Sequence, residues 1–280
     1  MISLQHLPNG FAYVEVRNSV ATAKIALQGA HLFHYARHGE EALLWVSGAS
    51  AFKEGEAIRG GVPLCWPWFG MHLSDDSLPQ HGFARTVLWE FVETKEEEEA
   101  TEVTFLLKSS ATTQQWWPYH FELLYRIRVG SELTLELTTR NSDESAFSIT
   151  QALHTYFKIS YISNIHVNGL HNKPYYDALT HTKQIQHGDI TVNEEVDRVY
   201  QEVREPIVLI DKQRSITIDN EGSDSVVVWN PWVEKCARMS AMEATSYETM
   251  LCIESANAFD DERIIEPHQT HTLRARIQLG

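Results

Sequence analysis

Apolar and polar residues alternate with period two along much of the chain. In residues 132–137 every second side chain is leucine and the intervening ones are polar, which predicts a strand with one buried face. Similar runs, separated by turn-forming Gly, Asn, Asp and Ser, lie at residues 22–27, 102–107, 121–129, 215–218, 225–229 and 272–279. Many short strands and few long amphipathic helices predict an all-β fold, an antiparallel sandwich.

Two other segments have local patterns of their own. Residues 231–242 predict a short helix, and the acidic run at residues 96–99 predicts a solvated hairpin loop. The chain shows no repeat of fixed period and no low-complexity linker. Because all-β sandwiches often exceed 200 residues as one unit, residues 1–280 are predicted to form a single domain.

Composition and charge narrow the class of partner. The chain is 43% hydrophobic and 22% charged, as in ordinary globular proteins, and its formal net charge is −15. Nucleic-acid affinity rests largely on Lys and Arg neutralising phosphates, so this charge argues against a nucleic-acid partner. A small anion is still compatible, because a few local arginines can outweigh a distant negative surface.

The N-terminal residues, the apolar runs and the cysteines indicate where in the cell the protein is expected. The N-terminal residues have neither the basic nor the apolar region of a secretory signal, and no apolar run approaches the ~20 residues of a membrane span. The three cysteines are scattered without CxxC spacing, so neither a disulfide framework nor a zinc knuckle is indicated. We expect a cytoplasmic protein without a membrane partner.

Several segments crowd Gly, Pro, Trp, His and Arg together where a plain strand would carry aliphatic residues. They read IRGGVPLCWPWFG from residue 58, PQHGFAR from 79, ALHTYF from 152, VDRVY from 196, WNPW from 229 and CIESAN from 252. Aromatic faces stack on the C–H side of a pyranose while polar groups take its hydroxyls, so these segments suit a sugar-sized pocket. Core filling is the alternative for most of the tryptophans.

Five residues in these segments carry candidate chemistry. Arg59 and Arg85 stand near glycines, as in anion sites, although either could form a surface ion pair. His154 lies in a strand-like apolar run, where a hydrogen-bonded core histidine is the alternative. Glu254 follows Leu-Cys-Ile, where a charge is costly unless it is paired or used. Asp197 precedes an arginine and alone indicates no more than an ion pair.

Taken together, in this order and at these separations, the six segments resemble the bacterial hexose-6-phosphate mutarotase family, also called glucose-6-phosphate 1-epimerases. The similarity runs from about Gly29 to near the C-terminus. It implies a galactose-mutarotase-like supersandwich of antiparallel strands with an open cleft on its concave face. It also implies an isomerase that interconverts the α and β anomers of an aldohexose 6-phosphate.

The resemblance also implies roles for particular residues. His154 and Glu254 match the family's catalytic histidine and carboxylate. The substrate-binding positions that it implies are Arg59, Gln80, His81, Arg85 and Asp197. Of these, His81 corresponds to a histidine near the reacting centre and Asp197 to a residue that holds sugar hydroxyls, while the two arginines correspond to those that meet the 6-phosphate.

The chemistry needs one base and one acid. We expect Glu254 as a carboxylate to remove the C1 hydroxyl proton and His154 as an imidazolium to protonate the ring oxygen. No cofactor or metal is required. The expected partner is a small phosphosugar, and the chain is expected to be a monomer.

Three other functions are compatible with parts of the pattern. A glycoside hydrolase would use a similar cleft, but with two carboxylates at the bond. A carbohydrate-binding or sugar-sensing module would keep the cleft without turnover. A metal-dependent cupin is suggested only by His31, His34 and His38, for which surface positions are the usual alternative.

Overall fold

The computed structural model describes residues 1–212 and 214–280. In chain order, the strands are β1 (Ile2–His6), β2 (Ala12–Arg17), β3 (Ala21–Ala26), β4 (Leu32–Arg37), β5 (Leu64–Cys65), β6 (Glu90–Glu96), β7 (Thr101–Lys108), β8 (Phe121–Val129), β9 (Leu133–Asn141), β10 (Phe147–Ile149), β11 (Gln151–Leu153), β12 (Tyr156–Lys158), β13 (His166–Asn168), β14 (Pro174–Asp177), β15 (Thr182–Ile185), β16 (Val196–Tyr200), β17 (Ile207–Asp211), β18 (Arg214–Glu221), β19 (Ser225–Asn230), β20 (Met250–Asn257), β21 (Arg263–Ile265) and β22 (Thr270–Leu279). The helices are α1 (Thr113–Trp116) and α2 (Trp232–Arg238), with short 3-10 turns at Ile162–Asn164, Ser246–Glu248 and Phe259–Asp261.

These elements confirm the all-β prediction and its main local details. Every predicted run lies within or largely within a strand, α2 lies inside the predicted helical segment, and residues 97–99 form an exposed turn between β6 and β7. Strand β9 continues past the predicted end at residue 137, because Thr138, Thr139 and Arg140 remain paired with β22. Ladder pairing therefore extends the strand beyond its alternating core.

In the described ranges, 1–212 and 214–280, the strands form two large sheets and two small ones, and the strands in each sheet pair in antiparallel fashion. One large sheet, which we call the site sheet, has the order β15-β14-β16-β19-β20-β11-β5, with β12 also paired to β20. The other, the back sheet, has the order β13-β17-β18-β22-β9-β8-β7-β6. Strands β1 to β4 form a third sheet, and β10 pairs with β21. This arrangement confirms the antiparallel sandwich.

The two faces of the site sheet have different surroundings. In β19 and β20, Val228 and Ile253 belong to the main hydrophobic core together with side chains of the back sheet. The alternate residues Trp229 and Cys252 belong to a second cluster on the opposite face. Because successive side chains of a strand point to opposite faces, Glu254 shares the face of Cys252. Alternation therefore turns this carboxyl away from the main core.

The main core draws side chains from nearly the whole chain. Its members range from Val14 in β2 to Ile277 in β22. Trp66 is wholly buried within it and donates a hydrogen bond from its indole nitrogen to the Thr139 hydroxyl at 3.0 Å. This bond ties the segment that carries β5 to the back sheet. The assignment of residues 1–280 to one domain stays a prediction.

Candidate active site

His154 lies at a break between two short strands that pair with the same neighbour. Strand β11 ends at Leu153, which is paired with Ser255, and β12 begins at Tyr156, which is paired with Cys252. The break brings His154 beside Glu254 on β20. The backbone N–H of His154 donates to the Pro63 carbonyl at 3.0 Å, which fixes this turn to the segment before β5.

Aromatic rings hold the imidazole of His154 in place. The Tyr156 ring is stacked on it at 4.8 Å between centroids and 6° between planes. Trp229 meets it edge-on at 6.0 Å, and His81 does so at 5.8 Å. Offset and edge-on contacts of this kind restrict ring orientation. The imidazole is therefore positioned by packing, with its nitrogens left for other partners.

His154 and Glu254, which we call the acid/base pair, are in direct contact and buried. Nδ1 of the histidine lies 3.2 Å from Oε1 of the glutamate, and the two residues are 8% and 1% exposed. The contact lacks hydrogen-bond alignment. Within residues 1–212 and 214–280, neither His154 Nδ1 nor Glu254 Oε2 has a hydrogen-bond partner. Buried polar atoms without partners are uncommon in proteins, so these two point to a ligand.

Burial decides where the proton of this pair rests. It raises the pKa of Glu254 well above its ordinary value, with a further rise from Asp197. Burial also lowers the pKa of His154 well below its ordinary value, and His81 and the two arginines act in the same direction. Burial therefore favours the neutral form of each group, a carboxylic acid beside an imidazole. This form contains the same number of protons as a carboxylate beside an imidazolium.

His81 enters the site from a strained loop. Its backbone φ is 65°, and the Gly70 N–H donates to its Nδ1 at 3.1 Å. Burial, followed by the charges of Arg85 and Arg59, lowers the pKa of His81 to about 3. The ring is therefore neutral, and because Nδ1 is an acceptor, the proton is on Nε2. His81 is thus a hydrogen-bond donor in the site.

Gly82 allows this loop to approach the chain before it. It has φ of +70°, and a Cβ at this position would lie 2.0 Å from the Trp66 carbonyl oxygen. The Phe83 N–H donates to the same oxygen at 3.1 Å. Only glycine accommodates both the backbone angle and the close approach, which explains the Gly after His81.

Arg59 and Arg85 are the two cations on the cavity wall that have no carboxylate partner within the described ranges, 1–212 and 214–280. An Nη1 of Arg59 is 3.4 Å from the Tyr156 hydroxyl, and Nη2 of Arg85 donates to the Gln80 carbonyl at 2.7 Å. The surface ion pair considered from the sequence is therefore not what the structure shows. Both guanidinium groups keep most of their donors for another acceptor.

Asp197 is paired across the sheet with Trp229 and lies on the same cavity wall. Burial raises the pKa of its carboxyl, and Lys235 opposes that rise. Nζ of Lys235 is 3.4 Å from Asp197 Oδ2 and 2.7 Å from Glu195 Oε1. Asp197 thus does form an ion pair, but at the edge of the cavity. This lysine was not predicted from the sequence as a site residue, although it follows the WNPW segment on the predicted helix.

The WNPW segment explains how the lysine reaches the cavity. The buried amide of Asn230 accepts from the Trp232 N–H at 2.9 Å and donates to the carbonyls of Tyr247 and Met250, both at 2.9 Å. These bonds start α2 immediately after β19. Lys235 then lies one turn into the helix, with its Nζ 5.9 Å from the Trp229 ring centroid.

The seven residues singled out from the sequence surround one open cavity of about 750 Å³, within the range usual for small-molecule sites. The structure brings together Arg59, Gln80, His81, Arg85, His154, Asp197 and Glu254. Gln80 is exposed and contributes its backbone carbonyl to Arg85. Trp68, Phe69, Tyr156 and Trp229 add aromatic surface. The cavity thus combines charged, polar and aromatic groups of the kind that bind a sugar.

The three histidines that suggested a cupin do not converge. The His31 ring bonds the Gly60 carbonyl at 2.8 Å, whereas the His34 ring contacts Thr22 and the His38 ring contacts the Asn18 carbonyl. Burial lowers the pKa of His31 to about 4, so it is a neutral structural donor. These contacts give the cluster no common ligand.

Comparison with known proteins places this chain in a family. The model of the aldose 1-epimerase family matches residues 13–278. The chain belongs to the aldose 1-epimerase family, a class of isomerases that act on sugars. An Escherichia coli protein named "Putative glucose-6-phosphate 1-epimerase" is 36% identical over 253 residues, which cover 89% of this chain and 84% of that protein.

Solved structures confirm the galactose-mutarotase-like fold. A crystal structure described as a putative mutarotase from Salmonella typhimurium has a TM-score of 0.93 and 33% identity, covering all of this chain and 93% of the other. A galactose mutarotase-like protein from Clostridium acetobutylicum has a TM-score of 0.78 at 11% identity, covering 100% and 98% of the two chains. The second likeness concerns the fold alone.

Among the described residues, no helix is long and apolar enough to span a bilayer.

Proposed function

We propose that this protein interconverts the α and β anomers of an aldohexose 6-phosphate, with glucose 6-phosphate favoured, by acid/base ring opening. The observation that carries the proposal is the acid/base pair: a buried imidazole and carboxyl 3.2 Å apart on the wall of a sugar-sized cavity, each with an atom that lacks a partner. A C1 hydroxyl and a ring oxygen offer the hydrogen-bonding groups that these atoms lack.

The reaction moves two protons and breaks one ring bond. Glu254 removes the C1 hydroxyl proton while His154 donates a proton to the ring oxygen, so that the bond between C1 and the ring oxygen opens to an aldehyde. Rotation about C1–C2 exposes the other face of the aldehyde, and closure reverses the two roles. Each positioned proton transfer typically contributes ~10²- to 10⁴-fold, and orientation of the substrate adds to this.

The resting protonation of the pair is compatible with these roles. In the free site, burial favours a protonated Glu254 beside a neutral imidazole, because it raises the pKa of the carboxyl and lowers the pKa of the histidine. Substrate binding has to align the two side chains before that proton passes to His154, because their 3.2 Å contact is not a hydrogen bond in the free site. The pair stays neutral overall in both forms, so no net charge is buried when the reactive form is made.

Other groups on the wall suit the rest of the sugar. His81 offers an Nε2–H donor near His154, and Asp197 offers a carboxylate held by Lys235. Trp229 adds aromatic surface to the cavity wall, which suits the C–H side of a pyranose. Gln80 lies at the exposed rim, where its amide can bond a hydroxyl.

The phosphate assignment rests on the charge balance of the cavity. Arg59 and Arg85 retain free donors, whereas the charge of Lys235 is balanced by Glu195 and Asp197. Guanidinium forks match phosphate oxygens and form strong charge-assisted hydrogen bonds. A dianion is otherwise repelled by a chain of net charge −15. The name of the Escherichia coli relative supports the same substrate.

The proposal includes three further expectations. The mechanism needs no metal or cofactor, because both proton transfers are made by side chains. The partner is a small phosphosugar, and neither a nucleic acid nor a membrane is involved. We propose that the chain works as a monomer in the cytoplasm.

The test is anomer exchange measured by NMR saturation transfer. Glucose 6-phosphate, galactose 6-phosphate and free glucose are compared with the wild type, with Glu254→Gln, and with Glu266→Gln as an exposed control. We expect faster exchange of a phosphosugar with the wild type and the control, and a loss of at least ~10²-fold with Glu254→Gln. Binding without any accelerated exchange would reject the enzyme and favour a carbohydrate-binding module.

A further inference from the structure

Cys252 lies directly behind the acid/base pair. It stands two residues before Glu254 on β20 and therefore on the same face of the site sheet. One ligand atom each from His154, Cys252 and Glu254 lie within 4.8 Å of one another, and all three residues are buried. A ring nitrogen, a thiol sulfur and a carboxyl oxygen thus lie close together in the buried part of the site.

Two features of this cluster indicate a capacity for metal binding. His154 Nδ1 and Glu254 Oε2 are buried and have no hydrogen-bond partner within the described part of the chain. The separation of 3.2 Å between His154 Nδ1 and Glu254 Oε1 also fits a metal. Two ligands bound at about 2.0 Å in tetrahedral geometry lie roughly 3.3 Å apart. The pair is thus already spaced as two neighbouring ligands of such an ion.

We propose that His154, Cys252 and Glu254 form an inhibitory site for a thiophilic divalent cation such as Zn²⁺. The ion is bound by both side chains of the acid/base pair and so prevents the sugar from contacting them. Three protein ligands leave a fourth tetrahedral position, which faces the cavity that His154 and Glu254 line. Water or chloride from the cavity completes the coordination.

The donor set selects the class of ion. Sulfur and imidazole favour Zn²⁺ and similar cations, whereas Mg²⁺ and Ca²⁺ require mainly oxygen ligands. On binding, the thiol of Cys252 loses its proton, and the acid/base pair loses its one acidic proton. Both protons pass to solvent, and no redox step occurs. The thiolate and carboxylate then balance the two positive charges of the ion, which makes the buried complex neutral.

Cobalt(II) provides a direct spectroscopic test of binding. Thiolate coordination gives a charge-transfer band in the near ultraviolet, which Zn²⁺ abolishes when it displaces the cobalt. The wild type is compared with Cys252→Ala and Cys252→Ser, and with Cys236→Ala as a control, because the Cys236 thiol instead donates to the Glu243 carbonyl at 3.2 Å. We expect the band in the wild type and the control, and its loss in both Cys252 variants.

Activity gives the second readout. We expect Zn²⁺ to inhibit anomer exchange in competition with the sugar, and the Cys252 variants to keep their basal exchange while needing at least about tenfold more Zn²⁺. Absence of the band in the wild type, equal zinc sensitivity in the Cys252 variants, or activation by zinc would each overturn the proposal. The cobalt experiment does not depend on turnover, so it decides the metal site even if the proposed reaction is wrong.

Discussion

Replacing Arg59 by alanine separates phosphate recognition from sugar recognition. Its contact with the protein is a long one, 3.4 Å to the Tyr156 hydroxyl, whereas Arg85 also fastens the Gln80 carbonyl at 2.7 Å. Arg59→Ala therefore removes a cation with little structural loss. A hydrogen bond to a charged group contributes roughly 1.5–3 kcal/mol, and each ~1.4 kcal/mol is tenfold. We expect kcat/KM for glucose 6-phosphate to fall roughly 10- to 150-fold.

The assay compares exchange of glucose 6-phosphate and free glucose by saturation transfer below saturation. Free glucose presents no anion, so its kcat/KM should fall less than about threefold, since only the long Tyr156 contact is lost. Arg204→Ala is the matched control, because Arg204 is exposed and paired with Asp224 at 2.9 Å. Equal losses for the two sugars would refute the phosphate role of Arg59.

Three further predictions address the lysine, the loop glycine and the acid/base pair. Lys235→Met should raise KM, and KM should rise further on acidification at higher pH than in the wild type, because Lys235 opposes the raised pKa of Asp197. A KM with unchanged pH dependence would contradict its positioning role. Gly39→Ala should lower the free energy of unfolding by about 1–2 kcal/mol, because alanine is strained at this positive φ. Gly82→Ala should lower it clearly more, because its Cβ would also clash with the Trp66 carbonyl. Urea unfolding measures both changes, and equal losses would argue against the clash. The pH profile of kcat/KM should be bell-shaped, since the acid/base pair must keep one proton. The acid limb should lie below pH 6.5, because burial lowers the pKa of the imidazole below that value. A flat profile would exclude the pair as the catalytic acid and base.

The strands could be predicted because their signal is local. In β8 and β9, alternation places every second side chain in the core, and the structure shows the same alternation of buried and half-buried positions. The ends of β9 and β18 were predicted less well, because polar residues there are kept in the ladder by pairing with β22. That pairing joins residues far apart in sequence, so the local pattern of apolar and polar residues cannot predict it.

The site residues could be found from segments of unusual composition, but their relations could not. The sequence marked His154 and Glu254 separately, with a core histidine as a reasonable alternative. Their contact arises because β11 and β12 both pair with β20. Lys235 was missed because its role depends on Asn230, whose buried amide starts the helix beside the cavity.

The cysteines also show that the sequence identifies residues but not which of them lie together in the fold. Their scatter along the chain argued against a metal knuckle, and that inference concerns spacing alone. Cys252 joins the acid/base pair through the alternation of β20 and the turn that carries His154. A site assembled from separate strands leaves no spacing signature.

The sequence by itself determined the strand pattern, the net charge of −15, and the segments that supply the cavity. Side-chain alternation and net charge are properties of the chain, so they can be read without coordinates. Only the tertiary structure decided that the two arginines lack carboxylate partners among the described residues, that Asp197 is held by Lys235, and that burial raises the pKa of Glu254. Ion pairing and pKa depend on burial and on distances of a few ångströms between distant segments, which only folding sets.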